Sequence, residues 1–152
     1  MAISVIAFSE RLEGDRWVLV EREVMDWHAR TYSAFLAGVR NSSLVPPIAE
    51  PRGTPADMSE PVATEFAEQG PDAVEPSWLS IHELLTFDYE KRFEDRRVKR
   101  RMPAGYLDEA ATGEPGEGRV VSYREFLGPG FFDELERLSK SGAQRVVFWF
   151  SL

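Results

Sequence analysis

The stretch QRVVFWFSL, residues 144 to 152, constrains the fold more than any other part of this chain. Val146 to Phe150 leave no polar side, so a strand here must be covered on both faces, at the centre of a sheet. Partners for it lie at the other end of the sequence. ISVIAF (3 to 8) and RWVLVE (16 to 21) are β-branched and aromatic runs, and Glu13-Gly14-Asp15 between them has the chemistry of a hairpin turn. Pairing the three runs builds one antiparallel core sheet.

Helical periodicity fills the space between. Tyr32, Phe35, Leu36 and Val39 fall on one stripe. Residues 59 to 69 read as a short helix with Ser59 as N-cap and Pro61 in its first turn. Ser80 with Glu83, and Ser122 with Glu125, have capping-box spacing. In PGFFDELERLSKSG, Phe131, Leu135 and Leu138 share a face, Glu136 and Lys140 can pair, and Gly142 stops the helix. Residues 102 to 118, rich in Gly, Pro and acids, read as a long mobile loop. The expectation is α+β: a small antiparallel sheet, made of the N-terminal hairpin and the C-terminal strand, packed with several short helices. At 152 residues the chain is expected to be a single domain, 1–152.

Composition excludes several functional classes. No run of eighteen apolar residues predicts a membrane span, and the start lacks the basic region of a signal peptide. With no cysteine, disulfides, a thiol nucleophile and thiolate metal sites are ruled out, which fits a cytoplasmic protein. The net charge of −8 argues against duplex nucleic acid as a partner. That charge is uneven. Residues 50 to 75 carry seven acids against Arg52, whereas residues 90 to 101, EKRFEDRRVKRR, carry seven bases against three acids. The basic run reads as a solvated helix face or loop, or as a patch for an anionic partner.

No catalytic set emerges. His28 and His82 are the two histidines; neither has metal-ligand spacing, and His82 falls within a capped helix. Gly128-Pro129-Gly130 reads as a connector, and no nucleotide-loop or nucleophile motif is present. No cofactor or metal is expected, and the balance leans away from an enzyme. One segment, AFLAGVRNSSLVPPIAEPRGTP (34 to 55), supports two readings. Arg40 and Asn41 suit a helix end, and Pro51-Arg52-Gly53 suits a turn. Alternatively, Arg40, Asn41, Arg52 and Gly53 form an anion-binding site, with Tyr32, Trp27 or Trp78 as a stacking surface for a base.

Arg30, Tyr32 and Phe35 with LAGVRN (36 to 41), PIAEPRGTP (47 to 55), SWLSIHELL (77 to 85) and RVVFWF (145 to 150) together resemble a family of uncharacterised bacteriophage and prophage proteins. The resemblance covers most of the chain, although VEPSW stands where members of that family often carry a Gly-His pair before the Ser-Trp block. It implies a small accessory protein acting in the host-cell cytoplasm against host defences. One route would be sequestering a nucleotide-type signal without cleaving it, in a pocket at the interface of a homo-oligomer. The alternative is an interaction module that inhibits or adapts a host protein, using the acidic 57 to 75 or basic 91 to 101 segment. A third reading is a small nucleotide-acting enzyme built on His28.

Overall fold

The computed structural model describes residues 3–25 and 30–151, so the sequence candidates Trp27 and His28 lie outside the described residues. Contacts divide the chain into two compact units: unit 1 comprises residues 1–28, 49–87 and 129–152, and unit 2 comprises residues 29–48 and 88–128.

Unit 1 is built on a four-stranded antiparallel sheet in the order β2 (Arg16–Glu21), β1 (Ser4–Glu13), β8 (Arg145–Ser151), β3 (Val74–Ser80). The apolar C-terminal run is a central strand, pairing β1 from Ser4↔Ser151 to Glu10↔Arg145 and β3 from Val74↔Phe150 to Ser80↔Arg145. Every residue from Arg145 to Phe150 is buried, because helices cover both faces. On one face α2 (Glu60–Gln69) packs Val62 and Phe66 against Phe8, Val147 and Trp149. Alternation along β8 turns Val146, Phe148 and Phe150 the other way. α3 (Ile81–Thr86) contacts both β8 and α5 (Pro129–Lys140), which buries Phe131, Leu135 and Leu138. The capping box at Ser80 and Glu83 is complete.

Ser59 occupies the N-cap position of α2 but makes no cap bond with its side chain, and its buried Oγ has no hydrogen-bond partner among the described residues. The carboxylate of Glu10, from β1, accepts the Ser59 N–H instead at 2.7 Å. The helix is therefore capped from a strand 49 residues upstream.

β3, unread in the sequence, is an edge strand, which is where a strand tolerates a proline such as Pro76. Its register slips between Val74 and Ser77, beside Glu75 at φ 50°.

Unit 2 contains α1 (Arg30–Ala37), two two-stranded antiparallel sheets and α4 (Tyr123–Leu127). β4 (Arg92–Asp95) pairs β7 (Arg119–Ser122), and β5 (Arg97–Arg101) pairs β6 (Leu107–Thr112). The basic run is thus two strands, neither helix face nor loop, and β6 lies inside the segment expected to be a loop. Ala110 and Ala111 carry little strand propensity; β6 is fixed by its partner, with Asp108 opposite Arg100 and Ala111 opposite Val98. Gly118 closes the turn before β7, where a Cβ would overlap the Asp95 carbonyl.

The core of unit 2 is aromatic. Phe35 lies 5.8 Å from Tyr89 and 5.7 Å from Tyr123, and Phe93 lies 5.0 Å from Tyr123 and 5.1 Å from Phe126. Burial pushes the Tyr89 and Tyr123 phenols above their ordinary pKa. The second capping box, Ser122 with Glu125, opens α4.

Candidate functional site

Three of the sequence candidates fall in unit 1, and they meet. Arg52 donates from Nη1 and Nη2 to the two carboxylate oxygens of Glu83, at 2.9 and 2.6 Å, and also reaches the Trp78 carbonyl at 3.2 Å. Its guanidinium lies 4.8 Å from the centroid of the Trp78 ring. The backbone of the same turn docks on β3: Arg52 N–H donates to Ser77 Oγ, and Gly53, at φ 78°, donates to the Pro76 carbonyl. The Pro-Arg-Gly turn therefore covers part of an open sheet edge, where unpaired backbone would otherwise invite foreign strands. The forked donors are held by Glu83, and one face of Trp78 is held by Arg52.

The Arg52 hydrogen bond is the main cause that lowers the Glu83 carboxyl to a pKa of about 2. Its folded value lies below its ordinary one, so the stabilisation from this pair is complete above about pH 5 and is lost as the pH falls from about 4.5 towards 2. Glu83→Gln should remove that part of the acid dependence. Urea unfolding at pH 6 and pH 3 measures it: the wild type should lose more stability between the two than the variant, and equal losses would exclude the linkage.

Sequence inspection did not reveal a second cluster in unit 1. Arg145, 6% exposed in its side chain, donates from Nε to the fully buried Glu10 at 2.7 Å and from Nη1 to Asp57 at 3.0 Å. Its guanidinium lies 3.7 Å from the Trp17 ring, whose Nε1 donates to the other Asp57 oxygen. The Arg145 hydrogen bond holds the Asp57 carboxyl below its usual range. An open cleft of about 480 Å³ lies beside them, walled by Thr54, Pro55 and Trp78. Because Glu10 and Asp57 already accept from Arg145, this arrangement ties β1, β8 and the loop before α2 together.

Tyr32, Arg40 and Asn41 belong to unit 2. Tyr32 is half-buried on α1, and burial raises its pKa. α1 ends at Ala37, where Gly38 takes the left-handed cap conformation (φ 70°) and donates to the Ala34 carbonyl. Asn41 is a brace: its amide donates to the Val45 carbonyl at 2.8 Å and accepts the Val45 N–H at 3.0 Å. The loop is pinned further by Thr112 Oγ1 on the Ser42 carbonyl, Arg96 N–H on the Ser43 carbonyl and Tyr123 OH on the Pro46 carbonyl. Within it Arg40 (φ 54°) and Leu44 (φ 55°) are both left-handed and both exposed. For side chains with a Cβ that conformation costs about 1–2 kcal/mol per residue.

The basic run divides by role. Arg96 donates from Nε and Nη2 to the Gly113 carbonyl at 3.0 and 2.7 Å and closes the base of the β5–β6 hairpin. Lys99, Arg100 and Arg101 are exposed towards its tip. Lys99 and Arg100 make long, exposed ion pairs with Glu109 (3.8 Å) and Glu117 (3.7 Å), and such contacts contribute little. Arg101 donates to the Gly105 carbonyl in the tip. Tyr106 and Leu107, 60% and 47% exposed, flank the cations.

Basic residues and exposed apolar surface both concentrate in unit 2. It carries eleven Lys and Arg against nine Asp and Glu, whereas unit 1 carries seven against seventeen. Of the six most exposed large apolar residues among those described, Leu44, Tyr106, Leu107 and Val120 are in unit 2. No group of three or more His, Asp or Glu side chains suited to a metal ion occurs among the described residues, and none of the described helices is long and apolar enough to cross a membrane. Comparison with known protein families, curated proteins and solved structures finds no match to this chain.

Proposed function

We propose that this chain is a non-enzymatic binding protein whose contact surface is unit 2 and whose partner is an acidic protein surface. The observation that carries this reading is the outer half of the β5–β6 hairpin. There Lys99, Arg100 and Arg101 stand exposed beside Tyr106 and Leu107, and the carboxylates that reach Lys99 and Arg100, Glu109 and Glu117, do so only through long, solvent-exposed pairs. Cations mixed with exposed aromatic and aliphatic side chains have the composition of an interface, not of an ordinary solvated strand. The resemblance to phage accessory proteins supports a host factor as the partner, met in the host-cell cytoplasm.

The test uses the intact protein and a peptide with six glutamates as probe. Reversing Lys99, Arg100 and Arg101 to Glu should weaken binding at least tenfold, and binding by the wild type should fall steeply with added salt. Binding unchanged by the reversal would remove the hairpin from the contact. Arg96 stays as it is, because it holds the hairpin base.

A second reading is supported by Arg40. Its exposed guanidinium sits on a loop fixed by hydrogen bonds on both sides, a suitable mount for a phosphate contact. In this form the protein sequesters a nucleotide-type signal as a counter-defence. Incubation with a panel of nucleotide messengers, followed by heat denaturation, should return intact ligand from the wild type and none from Arg40→Ala. Absence of retained ligand across the panel would eliminate this form.

A further inference from the structure

Leu44 is an anomaly that the internal packing of unit 2 does not explain. It holds a left-handed backbone (φ 55°), which glycine or asparagine would adopt at lower cost, and yet it is 48% exposed. Its neighbours Ser43 and Val45 are buried at 3% and 1% exposure, so the loop turns this one apolar side chain outward between two anchored residues. The conformation is over-determined from outside the loop, by Arg96 N–H on Ser43 and Thr112 Oγ1 on Ser42, and from within by Asn41 on Val45. Arg40, four positions earlier, shares the left-handed backbone and the exposure. Strain that the surrounding structure maintains at an exposed apolar residue is characteristic of a binding element.

We infer that Leu44 is a docking residue, an apolar knob that enters an apolar pocket on the acidic partner while Arg40 pairs with a carboxylate at the pocket rim. This rests on the reading that unit 2 binds an acidic protein surface, and it adds a second contact to that surface. Arg96 and Thr112 fasten the loop to the base of the β5–β6 hairpin, whereas Arg101 lies four residues along β5 from Arg97, roughly 13 Å at the rise of a strand. A partner engaging both contacts needs an acidic stretch of about that length with an apolar recess at one end.

Two peptide probes distinguish the possibilities. Both carry six glutamates; one has leucine at every fourth position, the other serine at the same places. The wild-type protein should bind the leucine peptide at least tenfold more tightly. Leu44→Asn should abolish that preference, keep the affinity for the serine peptide, and leave the melting temperature equal or higher, because asparagine accepts the left-handed backbone. Binding of both peptides without preference, or a preference that survives in Leu44→Asn, would overturn the assignment of Leu44 alone. Failure of both peptides to bind the wild type would overturn the acidic-partner reading, and this inference with it.

Discussion

Replacing Arg145 by methionine should lower stability by about 3–5 kcal/mol, because Glu10 would be left as an uncompensated carboxylate with no exposure to water. The loss should exceed that of Asp57→Ala, since the Asp57 side chain is 64% exposed and can turn to solvent. Replacing Glu10 by methionine in the same chain should recover much of the loss. An apolar pair of similar volume removes the desolvation problem, although the N–H of Ser59 then lacks its acceptor. Denaturant unfolding of the two single variants and the double variant gives the coupling energy directly. If Arg145→Met alone came within 1 kcal/mol of the wild type by the scale above, the pair would not be a buried ionic contact.

Phe35→Ala should have a comparable total effect in a different place. Phe35 has 0% exposure, and its ring contacts Tyr89 and Tyr123, the residues from which the unit 2 core is built. Truncating a buried phenylalanine costs about 3–5 kcal/mol through lost transfer energy and the cavity left behind. The backbone bond from Ile48 N–H to the Phe35 carbonyl is unaffected by the substitution, so the loss reports packing. Hydrogen exchange resolves where it falls: amides of β4, β5, β6 and β7 should lose protection while those of β8 keep theirs. Equal loss in β8 would mean that the two units do not respond separately.

The parts of this fold that were legible in sequence are those set by short-range chemistry. The five apolar residues from Val146 to Phe150 specified a central strand, and a central strand they form. Ser80 with Glu83 and Ser122 with Glu125 specified two helix starts, because a capping box is complete within four residues. Long-range partners decided the rest. β6 has a loop-like sequence and becomes a strand only because β5 offers its backbone. Ser59 has the right identity for a cap, yet Glu10 supplies the acceptor from β1. Among the candidate site residues, Arg52, Gly53 and Trp78 are brought together by the turn docking on β3, while Asn41 is taken up in bracing Val45. Leu44 gave no sequence signal, since neither its backbone angle nor its exposure is encoded in a local motif.

The position of β8 has a consequence for how the protein is made. Translation delivers every residue of unit 2 by position 128, whereas the strand that joins β1 to β3 is synthesised at 145–151. Until then β1 and β3 have no common neighbour, and Val5, Ala7 and Leu79 lack the strand that later buries them. Unit 2 can thus consolidate on the ribosome while unit 1 waits for α5 and, last, for its central strand β8. The interval in which this chain is most exposed to aggregation is set by its sheet, and it closes only when RVVFWF leaves the exit tunnel.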